Sequence, residues 1–218
     1  MSNFIAIGNR PTSAMNLKKY IFLLFLLMVG LVLATVYTPT ETNYEPVPDS
    51  KDENKPASDV AFHKMMDVLT HPRCLNCHPS DNIPKQGEDS HPHHFDMARG
   101  ENDKGFKATQ CATCHQSENN PYSGAPGAPH WSLAPHSMRW QGLNRFEIAK
   151  SMMDTERNGG RSPEEIRKHL TEDDLVLWAW EPGTNVKGEP RELPPVSKEE
   201  FISAVEEWFS NGHTIPSQ

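Results

Sequence analysis

Two short runs carry the chemistry of this chain: Cys74-Leu75-Asn76-Cys77-His78 and Cys111-Ala112-Thr113-Cys114-His115. Both have the form C-x-x-C-H. Two thiols one helical turn apart can form thioethers to the two vinyl groups of a single porphyrin. The His that follows reaches the iron from the same face. The pattern predicts two covalently bound haem c groups. Cys74, Cys77, Cys111 and Cys114 are the tethers, and His78 and His115 are the proximal iron ligands.

Three other chemistries use paired cysteines. A zinc site needs four ligands but no His directly after both pairs. The 33 residues between Cys77 and Cys111 also exceed the usual ribbon spacing of about 15–20. A thioredoxin-like dithiol needs an α/β setting that the chain lacks. Disulfides suit an exported chain, as haem attachment does, but do not account for the duplicated His.

A sixth iron ligand must come from the remaining His and Met residues. The densest group is His91-Pro92-His93-His94, with Met97 nearby. Pro92 holds His91 extended, which puts His91 and His93 on one face and His94 on the other. His71 lies three residues before Cys74, and His169 lies near Trp178 and Trp180. The candidate distal ligands are His93, His91, His71 and His169, with Met138 behind them. Abundant His favours bis-His ligation and a low-spin iron of lower potential than a His/Met site. Trp131 and Trp140 flank a Pro-rich loop, where flat aromatics suit haem faces and edges.

The elements that must hold these residues are mostly helices. Residues 58–70 read as a helix that Ser58 caps, with Phe62, Met65, Met66 and Leu69 on one face. Residues 71–142 have little periodicity, and only a rigid ligand makes so long an irregular stretch tolerable in a folded domain. Asn144 with Glu147 forms a capping box, and Leu143 with Ile148 forms a hydrophobic staple. That helix is expected to end near Gly159-Gly160. Ser162 to Glu165 forms a second box with Pro163 at the first helical position. Thr171 to Asp174 opens a short third helix. Ser197 to Glu200 opens the last one, with Phe201, Ala204, Val205 and Trp208 inward and Asn211-Gly212 closing it. No run reads as a strand.

Composition agrees with a core built around something other than aliphatic side chains. From residue 35 onward Leu, Ile, Val and Phe make only 27 of 184 residues, and the net charge is −11. Taken alone, such values describe a disordered chain. They also exclude a nucleic-acid binder, because acidic protein repels phosphate. Before that point, Met15 to Tyr20 forms a basic n-region and Tyr20 to Val36 an apolar run of 17 residues. Val32-Leu33-Ala34 offers a cleavage site. The segment reads as a signal peptide or an N-terminal membrane anchor. Lys18 and Lys19 place the remainder outside the cytoplasm either way, so the expected location is periplasmic or exported.

Several stretches together resemble one family: THPRCLNCHP (70–79), QGEDSHPH (86–93), CATCHQ (111–116), PGAPHWSLAP (126–135), NGGR (158–161) and DLVLWAWEPG (174–183). They are similar to the small bacterial dihaem c-type cytochromes labelled "isoquinoline 1-oxidoreductase subunit", and span most of 70–183. The resemblance implies an electron acceptor for a molybdenum hydroxylase. It favours His71, His91, His93 and His169 as ligand positions over His94 and His136.

The resulting expectation has three parts: an extension with signal or anchor over 1–34, a disordered acidic and Pro-rich tether over 35–57, and a mostly α dihaem cytochrome c domain with extensive irregular loops over 58–218. The domain is expected to pass single electrons between redox partner proteins, a periplasmic dehydrogenase or another cytochrome. The alternative is a peroxidase-like dihaem enzyme with one open coordination site.

Overall fold

Helix α1 (Ala57–Leu69) starts at Pro56, whose carbonyl accepts from the Asp59 and Val60 amides. The structure is a computed structural model, and it describes residues 56–217. These residues fall within one compact unit, Lys51–Gln218. The signal or anchor over 1–34 and all of the tether except its last two residues lie outside the described residues. No helix among the described residues is long and apolar enough to cross a membrane.

The expected face of α1 is the buried one: Phe62, Met65, Met66 and Leu69, joined by Ala61 and Val68. Ser58 is not its cap. It is the second helical residue, and Pro56 takes the capping position without a side-chain bond. Thr70 ends the helix and leads through His71 into the four-residue helix α2 (Pro72–Leu75), which opens the first cysteine motif.

The irregular middle contains little regular structure. Lys85–Gln86 (β1) and His91–Pro92 (β2) pair antiparallel, with Gln86 opposite His91. Isolated bridges join Gly105 to Gln110 and Asn120 to Ala125. Strand pairing was not expected here, and it is too short to carry a hydrophobic face.

Helices return at α3 (Arg145–Met153), α4 (Pro163–Glu172), α5 (Asp174–Leu177) and α6 (Lys198–Ser210). Capping boxes start α3 at Asn144, α4 at Ser162 and α6 at Ser197. Helix α3 stops six residues short of the expected Gly159-Gly160. The buried Asn158 side chain donates to the Met152 and Arg161 carbonyls, which satisfies the helix end and folds the chain back. Asp173 caps α5 through the Leu175 amide, and Thr171 belongs to α4. A 3-10 turn, Trp178–Trp180, follows α5.

One core joins these helices. Helix α1 lies along α6, with α3 and α4 closing the sides. Phe62 stacks on Phe146 at 5.6 Å and tilts against Trp208 at 6.1 Å. The Trp208 indole N–H donates to the Thr214 carbonyl at 2.9 Å, so its burial leaves no unpaired polar atom. Each large side chain fully enclosed here contributes about 1.5–3 kcal/mol. The irregular middle reaches this core mainly through Met138 and Trp140, with Cys74 and Leu75 packed against it.

Candidate functional site

The first motif is built on the end of α1. The short turn of α2 brings the Cys77 amide to the Cys74 carbonyl at 3.1 Å and the His78 amide to the same carbonyl at 3.2 Å. The second motif repeats this turn as a 3-10 segment, Cys111–Thr113. Its Cys114 and His115 amides meet the Cys111 carbonyl at 3.1 and 2.9 Å. Both pairs of thiols therefore stand one turn apart.

The two His residues sit in matching surroundings. His78 Nδ1 lies 2.9 Å from the Met138 carbonyl, and its ring stacks on Trp140 at 3.6 Å and 10°. His115 Nδ1 lies 2.8 Å from the Pro126 carbonyl, and its ring stacks on Trp131 at 4.5 Å and 3°. A carbonyl only accepts, so Nδ1 carries the proton in both rings and Nε2 keeps its lone pair. Burial lowers the His78 pKa to about 3, against a smaller opposing effect of the Met138 bond. Burial also lowers that of His115. Both rings are neutral, oriented bases with Nε2 as the donor atom. Gly127 makes the second arrangement possible. A Cβ there would collide with the Gln116 and Glu118 carbonyls, and its absence lets the Pro126 loop close over His115.

No disulfide joins the four cysteines. Burial, reinforced by the neighbouring Cys77, pushes Cys74 up to about 12. Burial and the proximity of Cys111 push Cys77 up to about 11. Cys111 is raised by burial. A raised thiol pKa keeps Cys74 and Cys77 protonated and weakly nucleophilic at neutral pH. Cys111 lies within electrostatic reach of Cys77.

The four distal candidates separate clearly. His93 faces His115, with ring centres 5.9 Å apart at 68°. Two imidazoles on opposite sides of one metal, each bonded at about 2 Å, have ring centres roughly 6 Å apart. His93 Nδ1 is turned to the His94 carbonyl at 2.6 Å, so its Nε2 is the free donor. His169 is close enough to His78 to lower its pKa. His169 Nδ1 bonds Asp173 at 2.9 Å, and that bond holds the Asp173 carboxyl below the usual range. A carboxylate on Nδ1 is the common support of a metal-binding imidazole. His91 is bonded to Asp89 at 2.6 Å, lies over Gly87 and has the His94 ring 5.3 Å away. His71 caps α2, its Nδ1 accepting the Arg73 amide at 3.3 Å. In the neutral ring that bond puts the proton on Nε2 and leaves no lone pair there.

Met138 is buried, its sulfur accepting from the Ser151 hydroxyl at 3.8 Å. Its contribution to His78 is its carbonyl. Sequence reasoning missed both carbonyl partners. The available signal was the pair of Pro-rich loops around 126 and 135, whose backbone carbonyls are not consumed by helix.

Among the described residues no set of three or more His, Cys, Asp or Glu gathers to hold a bare metal ion. A porphyrin brings its own equatorial nitrogens and asks the protein only for axial ones. Paired thiols one turn apart, a neutral Nε2 donor beside each pair and a facing imidazole match that demand. In comparisons with known proteins, no family model, curated protein or solved structure matches this chain.

Proposed function

We propose that this chain is an exported dihaem c-type cytochrome that passes single electrons between redox partner proteins. It groups with the small bacterial dihaem cytochromes that its motifs resemble. The observation that carries this reading is the duplicated device behind the cysteines: Nδ1 on a carbonyl, ring on a Trp, Nε2 free.

Haem c supplies a one-electron ferric/ferrous couple when bound. Cys74 and Cys77 tether one group, and Cys111 and Cys114 the other. His78 and His115 hold their Nε2 atoms ready on the proximal side. His93 would be the second protein ligand of the haem held by His115, and His169 that of the haem held by His78. Trp140 and Trp131 keep the proximal rings from rotating and exclude water from them. The closeness of Cys77 to Cys111 supports electron passage between the two sites. The −11 charge after residue 34 favours docking to a basic partner surface, with association that weakens in salt. That partner is a dehydrogenase outside the cytoplasm, such as the molybdenum hydroxylase the resemblance implies, or another cytochrome.

The test is expression with cytochrome c maturation machinery, followed by intact mass and electron paramagnetic resonance. Two haems per chain, both low-spin and inert to carbon monoxide and peroxide, are expected. A high-spin haem that reacts with peroxide would replace the carrier with a peroxidase-like enzyme. No covalent haem would refute the assignment altogether.

A further inference from the structure

Arg99 is one of the most deeply buried charges in the described chain, at 5% exposure, and two of its three side-chain nitrogens have no acceptor. Its Nη1 binds Asp103 at 2.6 Å and the Ala134 carbonyl. Its Nε and Nη2 are buried without a partner. Those two atoms form one edge of the guanidinium, the fork that takes both oxygens of a carboxylate at once. Other enclosed arginines are better satisfied. Arg73 gives Nε to the Glu192 carbonyl and Nη2 to Glu88. Arg191 spends Nη1 and Nη2 on the Pro182, Thr184 and Gly124 carbonyls.

The open fork belongs to the first motif. Ala134, which Arg99 holds by its carbonyl, donates its own amide to the Cys77 carbonyl at 3.1 Å. Arg99 is near enough to His78 to act on it electrostatically. Trp140, stacked on His78, holds a third buried donor without acceptor, its Nε1. The next residue back, Arg139, has a fourth, its Nε. The backbone is arranged to bring Arg99 in. Gly100 has φ +70°, and a Cβ on it would strike the Gly105 carbonyl. The Gly105 amide in turn binds the Arg99 carbonyl at 2.9 Å. Buried donors left unpaired are costly, so four of them on Arg99, Arg139 and Trp140 point to an acceptor that arrives with the ligand.

We infer that the unpaired fork of Arg99 binds a carboxylate, and that its occupant is a propionate of the haem held by Cys74 and Cys77, with the Trp140 indole N–H as a further donor. This rests on the dihaem reading. Arg191, the arginine that acts electrostatically on His115, offers no such fork, because backbone carbonyls fill its Nη1 and Nη2. Arg99 thus anchors one haem only, and its charge raises the potential of that haem over what the same ligands give alone.

The experiment compares holoprotein of the unaltered chain with Arg99→Gln and Arg99→Lys. Intact mass counts the haems, redox titration gives two midpoint potentials, and resonance Raman reads the propionate bending modes. In Arg99→Gln one of the two potentials should fall by about tenfold in its reduction equilibrium, which is about 59 mV for one electron, and one propionate mode should move. Arg99→Lys keeps the charge but lacks the fork. Its potentials should stay near those of the unaltered chain, whereas the propionate mode should still move. If Arg99→Gln fails to accumulate, the Lys variant alone decides through the Raman mode. Two attached haems with unmoved propionate modes in every variant measured would overturn the proposal and leave the dihaem reading standing. Potentials that respond to added acetate, with those modes unmoved, would assign the fork to a free carboxylate and also overturn it. A chain that attaches no haem at all would overturn the dihaem reading, and this proposal with it.

Discussion

Removing the haems should separate the chain into a part that folds and a part that does not. Replacing Cys74, Cys77, Cys111 and Cys114 all by Ser abolishes attachment while leaving every other side chain in place. Between residues 80 and 137 the buried apolar side chains are Ala128 and Leu133 alone. Burying a Leu contributes about 1.5–3 kcal/mol, and ordering one residue's backbone costs about 1–2 kcal/mol. Apolar burial in this segment therefore offsets the ordering of roughly two residues. Hydrogen bonds add about 1 kcal/mol each, and the segment has fewer than one per residue. The helical core is different. Phe62, Met65, Met66, Phe201, Val205 and Trp208 are fully enclosed by one another and by α3 and α4. Amide hydrogen exchange read by mass spectrometry distinguishes the two parts. In the Ser variant, protection over 80–137 should fall at least about a hundredfold, or about 2.7 kcal/mol of local stability. Protection in α1, α3 and α6 should remain within about tenfold of the haem-loaded protein. Equal protection over 80–137 in the two proteins would refute the idea that haem organises this segment.

Three further outcomes follow from the same geometry. His93→Ala should turn one haem high-spin by electron paramagnetic resonance. His71→Ala should leave both low-spin and cost about 1 kcal/mol as a lost helix cap; a spin change in the second variant would make His71 an iron ligand. Burial holds His78 near 3, well below its ordinary 6.5, so the unfolded chain binds a proton there before the folded one does. Stability from this group is complete above pH 6.5 and is lost as pH falls toward 3. In the haem-free Ser variant, denaturant unfolding should therefore show this contribution complete above pH 6.5 and falling as pH drops toward 3, and a stability independent of pH from 7 to 4 would contradict it. Phe62→Ala should destabilise the helical core by about 3–5 kcal/mol, read from denaturant unfolding followed by helix circular dichroism; a loss below 1 kcal/mol would mean that α1 is not held by that side chain.

Local signals and long-range ones were unequally legible in the sequence. The inward faces of α1 and α6 follow from helical periodicity, and three capping boxes follow from Asn144, Ser162 and Ser197 with Glu three residues on. These are decided within one or two turns of chain. Where a distant partner decides, local reading fails. Helix α3 ends at Met153 because Asn158 folds back onto the Met152 carbonyl, an act of one side chain beyond the helix. Alternation places His91 and His93 on one face, and the His93 amide, bonded to the Pro84 carbonyl at 2.8 Å, continues the β1–β2 register by one pair. The two side chains still part company: His93 turns to His115, whereas His91 bonds Asp89 and lies 5.3 Å from the His94 ring. His71 resembles a ligand by its distance from Cys74, yet its Nδ1 is taken by the helix it precedes. The fork of Arg99 had no sequence signal, since burial and missing partners are properties of the folded chain.

The two proximal devices share geometry but not origin. The carbonyl for His115 lies 11 residues ahead, at Pro126, and its Trp131 belongs to the same loop. The carbonyl for His78 lies 60 residues ahead, at Met138, and Trp140 is part of the helical core. The pair is thus not a duplicated module with duplicated surroundings. The second site can form from a short local stretch, whereas the first needs the whole middle of the chain to return. Loop closure over the longer span costs more entropy, though only logarithmically more. What compensates is the core itself: Met138 and Trp140 are buried against it, and the closure that places Trp140 in the core also orients His78. The first site therefore gains its stability from the helices and the second from its haem. Removing the Cys111 and Cys114 tethers should unfold the outer loops and spare the first site, while removing Cys74 and Cys77 should leave the second haem attached, as read by intact mass.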